Sequence, residues 1–62
     1  MCLARASIKE GAEEKLVMDG VAHMRINDGE LVLRTIFGDQ DLIEAHVREI
    51  DFTRHVIILE RT

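Results

Sequence analysis

The sequence predicts an all-β domain, a small antiparallel barrel or sandwich of five to seven short strands. Three features predict it. Apolar and polar residues alternate with period two in "CLARASIK", which puts Cys2, Ala4, Ala6 and Ile8 on one face of a strand and Leu3, Arg5, Ser7 and Lys9 on the other. Asp28-Gly29 stands between two alternating runs, the local signature of a hairpin. Val56 to Leu59 are four consecutive apolar residues, the pattern of a strand buried on both faces.

The other elements follow in order. "EGAEE" reads as a charged turn after the first strand, with Gly11 supplying backbone freedom. "KLVM" is a short second strand that ends at Asp19-Gly20. A tight primed turn at Asp28-Gly29 requires positive φ at both residues and pairs Asn27 with Glu30. Ile26 then faces Leu31, Met24 faces Leu33 and Ala22 faces Thr35 on an apolar, core-directed side. Arg25 with Val32 and His23 with Arg34 occupy the opposite side. "GDQ" at 38–40 is the next turn. Residues 41–52 read two ways. Ile43, Val47 and Ile50 have helical spacing, and Asp41 with Glu44 fits a capping box. Ile43, Ala45 and Val47 also alternate, with a phase change before Ile50 and Phe52 that a bulge supplies. The strand reading is preferred because the neighbours are strands.

Length bounds the organisation. Residues 1–62 make a single small β domain with no repeat and no linker. A chain this short buries only about 60% of the surface that its unfolded form exposes. Small domains take support from disulfides, metals or oligomerisation. One cysteine excludes an intrachain disulfide, so oligomerisation or metal binding is expected. Hydrophobic residues at 47% are too many for a disordered chain. No run is long enough to cross a membrane as a helix, and no secretory signal is visible. A cytoplasmic, reducing location is expected, and it suits an unpaired thiol.

The net charge is −4, with 12 acids against 8 scattered bases, and the only aromatic residues are Phe37 and Phe52. Nucleic-acid binding is therefore disfavoured. So is catalysis: the acids form no evident pair, and Ser7, Thr35, Thr53 and Thr62 lack a nucleophile-elbow context. Asp39 and Asp41 read as solvated turn carboxylates.

Cys2 is the candidate metal ligand. A free cysteine on the same face as Ala4, Ala6 and Ile8 is more often a small core hydrophobe. Position 2, however, becomes the chain end when the initiator methionine is excised, as is usual before a small residue. Its α-amine and thiol then close a five-membered chelate ring on one metal ion. Their ordinary pKa values, about 7.7–8.0 and about 8.5, let both release protons to a metal near neutral pH. A retained Met1 would make that nitrogen an amide and weaken the site. Two such ends across a two-fold axis give an N₂S₂ donor set, which suits Ni(II) or Cu(II) when square-planar, while thiolate also serves Zn(II) or Cu(I), and a reducing cytosol favours Cu(I) over Cu(II). His23, His46 and His55 show no compact metal-binding spacing. His55 is a secondary candidate, because strand ends in small barrels gather near the start of the first strand.

The start "MCLARASI", the middle "LRTIFGD" and the later "VREIDFTRHVIIL" resemble the CooT-type nickel-binding proteins, accessory to carbon monoxide dehydrogenase. The resemblance runs from Met1 to about Leu59. It implies a small Sm/SH3-like barrel, a homodimer, and one Ni(II) per dimer bound between the subunits at Cys2. It further implies a client nickel enzyme such as carbon monoxide dehydrogenase, and favours strand over helix for residues 41–52. The alternative is a small-barrel nucleic-acid-binding or protein-interaction module in which Cys2 is incidental.

Overall fold

A computed structural model describes residues 3–61. The predicted Cys2 site and the Cys2 end of the first strand lie outside the described residues. Six strands form: β1 (Ala4–Glu10), β2 (Glu13–Asn27), β3 (Glu30–Thr35), β4 (Gln40–Ile43), β5 (Ala45–Asp51) and β6 (Val56–Arg61). They make one sheet in the order β4-β3-β2-β1-β6-β5, curled into a half-barrel, and β3 touches β5 across the curl. No helix among the described residues is long and apolar enough to cross a membrane.

All pairings are antiparallel except β1 with β6, which run parallel from Arg5↔Val56 to Lys9↔Glu60. The sequence reading named only antiparallel neighbours. The parallel pair follows from how the chain is bent. β4 and β5 are one extended segment interrupted at Glu44, so β1, β2, β3, β4–β5 and β6 form an up-and-down series of five. In an odd series the first and last members point the same way, and the curl lays them side by side.

Residues 41–51 are therefore strand, as preferred, except at Glu44, and are shared between two flanks of the sheet, while Phe52 begins the following turn. β4 pairs with β3 from Leu31↔Ile43 to Arg34↔Gln40, and β5 pairs with β6. The register shift between Val47 and Glu49 is the bulge that the phase change before Ile50 called for.

β2 departs most from expectation. Asp19-Gly20 does not end the strand; it bulges it. Ala4 pairs with Val21 and Ala6 with Met18, so three steps on β2 match two on β1. Gly20 takes φ 67°, and its N–H donates to Asp19 Oδ1 at 2.9 Å. The bulge bends one long strand so that its first part lines β1 and its second part lines β3. A Cβ at Gly20 would meet only Leu3 Cδ1, at 4.0 Å, so conformation and not space restricts the site. Gly20→Ala is expected to lower stability by about 1–2 kcal/mol, the cost of a left-handed L-residue. Urea denaturation at fixed protein concentration checks this.

The hairpin register stands from Asn27↔Glu30 through Ile26↔Leu31, Met24↔Leu33 and Arg25↔Val32 to His23↔Arg34. It fails beyond that point, because a second bulge gives Thr35 the partner Val21 in place of Ala22. Val21 is accordingly buried and Ala22 exposed. The turn also differs: Gly29 takes φ 70° but Asp28 stays at negative φ. Glycine, without a Cβ, supplies the left-handed residue alone.

The core is small and aliphatic: Ala6, Ile8, Val21, Leu31, Leu33, Ala45, Ile57 and Leu59. Ala6 and Ile8 point inward as the alternation in β1 required. Ser7, on the other face, is also buried, flanked by its register partners Leu16 and Ile58. In β6, Ile57 and Leu59 are buried while Val56 and Ile58 are half-buried. Ile26, expected on the core side, is exposed at the hairpin tip.

Candidate functional site at the start of the first strand

The end of the barrel where β1 begins holds His55, the secondary candidate. The turn between β5 and β6, residues 52–55, is fixed from one side by Asp51. Its Oδ1 accepts the Thr53 hydroxyl at 2.7 Å, the Thr53 N–H at 3.0 Å and the Arg54 N–H at 3.1 Å. The Thr53 hydroxyl, followed by these backbone donors and the Arg54 charge, holds the Asp51 carboxyl below its ordinary pKa. From the other side, the Arg5 N–H donates to His55 O at 2.9 Å, tying the turn to β1. His55 itself is left-handed, with φ 56°, the sole non-glycine residue so placed among the described residues.

Ala4, Ile50, Asp51, Phe52, His55, Val56 and Ile57 line a groove of about 200 Å³ at this end. Its walls are mainly aliphatic and aromatic. Phe52 is 80% exposed, and Ile50 is also exposed. Phe37, the other aromatic residue, is exposed as well. A domain with so small a core has therefore placed neither phenylalanine inside it. Ile50 and Phe52 thus present apolar surface to solvent beside this groove.

Cys2 is two residues before Ala4. Leu3 is half-buried near Gly20. His55 is brought to the start of β1, as the gathering of strand ends predicted. The other two histidines are not. His23 sits opposite Arg34 on the exposed side of the hairpin. His46 Nε2 lies 3.1 Å from Glu60 Oε1, while Arg48 Nη1 donates to Glu60 Oε2 at 2.7 Å. Those hydrogen bonds, with Arg48 the larger influence, hold the Glu60 carboxyl below its ordinary pKa. Among the described residues no three His, Cys, Asp or Glu side chains come together in a way that could hold a metal ion.

Asp39 and Asp41 are exposed, as read from the sequence, but Asp41 lies in β4 opposite Leu33, and the turn closes before Gln40. The Thr35 N–H donates to Asp39 O at 2.9 Å, and Thr35 Oγ1 accepts the Phe37 and Asp39 N–H groups, which makes this segment a closed turn. Arg5, Arg48, Arg54 and Arg61 each lie in an ion pair with a carboxylate, so they offer little uncompensated charge to a phosphate backbone.

The groove was not read from the sequence. Its signal was present in Ile50 and Phe52, which share a face after the phase change in β5, directly before a polar turn and Val56.

Comparison with known proteins gives a consistent pattern. The sequence model of a family described as the CO dehydrogenase accessory protein CooT matches residues 1–60. A crystal structure of a candidate CooT from Carboxydothermus hydrogenoformans is 33% identical in sequence, with a TM-score of 0.91. That match covers 98% of this chain and 98% of the other. No curated protein matches the chain.

Proposed function

The chain belongs to the CooT family of CO dehydrogenase accessory proteins, and from that premise we propose that it is a cytoplasmic, homodimeric nickel carrier. Two chains meet at the end of the barrel where β1 begins. Cys2 of each supplies an amine and a thiolate to one shared Ni(II), which is then passed to the client enzyme, CO dehydrogenase. The ion is cargo, and the protein acts as a carrier and not as a catalyst.

The observation that carries this reading is the apolar groove beside the start of β1. A chain end bearing two donor atoms reaches four only if a second end joins it, and a surface that brings two copies together must lie close by. Ala4, Ile50, Phe52 and Val56 provide such a surface. The donor chemistry agrees: thiolate and amine are favourable ligands for Ni(II), and both titrate near neutral pH. Delivery also benefits, because ligands on a chain end can exchange stepwise for those of a receiving site.

Phe52→Asp tests the surface without touching the ligands. The side chain is exposed, so the monomer is expected to fold, whereas a carboxylate placed in the apolar contact opposes its burial. Sedimentation is expected to show a monomer, with tight nickel uptake lost although Cys2 is intact. A dimer that takes up nickel like the parent protein would exclude this face from the contact.

A further inference from the structure

The geometry points to the outer edge of β2, from Glu13 to Asp19, as a docking site for an extended segment of a partner protein in which apolar side chains alternate with lysine or arginine. β2 joins β1 along one edge from Glu13 to Val21, but joins β3 along the other edge only from Val21 onward. On that second edge, residues 13–19 have no strand partner among the described residues. Their outward backbone N–H and C=O groups are a template for one more strand.

The surroundings select the incoming side chains. Val17 belongs to this edge and also lines a cleft of about 370 Å³ with Ile8, Leu42 and Ile43, while Asp41 and Glu44 line it too. Leu16, next to Val17, is 58% exposed. Successive side chains of a strand point to opposite faces. The apolar side chains of an added alternating strand would enter the cleft beside Val17, Leu42 and Ile43, and its basic side chains would lie on the other face, beside Glu14. Glu13, Glu14, Asp41 and Glu44 have no ion-pair partner among the described residues. Of the nearby cations, Lys15 Nζ lies 3.6 Å from Glu10 Oε1 and Arg61 Nε lies 2.7 Å from Glu10 Oε2, and only Lys9, opposite Glu14 on β1, faces the four acids. The uncompensated charge is negative, and a basic segment complements it.

A second copy of this chain fits poorly on the same edge. Two-fold antiparallel pairing centred on Leu16 sets Glu13 against Asp19, pairing centred on Lys15 sets the two lysines together, and in-register parallel pairing sets each acid beside itself; other registers, such as the one centred between Glu14 and Lys15, bring opposite charges together. Like charges opposite one another destabilise a strand pair.

The test needs no nickel. Isotope-labelled protein is titrated with a short synthetic peptide of alternating valine and lysine, then with a counterpart of alternating valine and glutamate. The lysine peptide is expected to shift the resonances of residues 13–19 and of Leu42 and Ile43, and to slow amide exchange across 13–19. The glutamate peptide is expected to do neither. Glu13→Lys with Glu14→Lys, both exposed positions, is expected to weaken the lysine peptide by about tenfold. Shifts scattered over acidic surface without protection of 13–19 would overturn the proposal, as would unchanged affinity in the double variant. Concentration-dependent protection of these amides in the protein alone would assign the edge to a second copy and also overturn it.

Discussion

Cys2→Ser is expected to abolish tight nickel binding and leave the fold intact. The substitution exchanges a thiolate for a hydroxyl whose proton does not leave at neutral pH. In a two-chain N₂S₂ site it removes both sulfurs at once, and two amines alone are weak competitors for a metal ion that soft donors hold well. The fold should not register the change. Position 2 precedes Ala4, the first residue of β1, and among the described residues the buried core lies at Ala6 and beyond. Calorimetric titration with Ni(II), alongside circular dichroism of the same samples, reads both halves of the expectation. A serine variant that binds nickel like the parent would remove Cys2 from the site.

The second large effect is on stability. Leu33→Ala and Leu59→Ala are each expected to cost about 2–5 kcal/mol, the range for emptying a buried leucine site. Both side chains are fully buried, on β3 and β6, two of the strands that enclose the core. At about 0.05–0.15 kcal/mol per residue, a domain of this size has only about 3–9 kcal/mol in total. Either variant should therefore stand near its unfolding midpoint at room temperature. Urea denaturation at fixed protein concentration measures it, since dimerisation and bound metal each add stability by mass action. A loss below about 1 kcal/mol at both positions would mean that the core lies elsewhere.

Much of the fold was legible because its signals are local. The alternation in β1 reports a single inward face, and Ala6 and Ile8 are buried as it required. The hairpin register from Asn27 to His23 follows from one turn and two apolar runs. What escaped the sequence reading is non-local. Asp19-Gly20 looks like a strand end, because a bulge and a turn draw on the same residues; only the pairing of Ala4 with Val21 beyond it shows that β2 continues. The split at Glu44 depends on which strands lie on either side, and so does the parallel pairing of β1 with β6. At the site, the approach of His55 to the start of β1 followed from how small barrels close. The groove did not, because Ile50 and Phe52 alternate like core residues and only the curl of the sheet leaves them outside.

The two-chain nickel site is tested most directly by the intact mass of the native assembly, measured with and without Ni(II). Two chains, each beginning at Cys2 and together carrying a single nickel ion, are the predicted result. A lone chain carrying its own nickel ion, or a pair that takes up none, would contradict it.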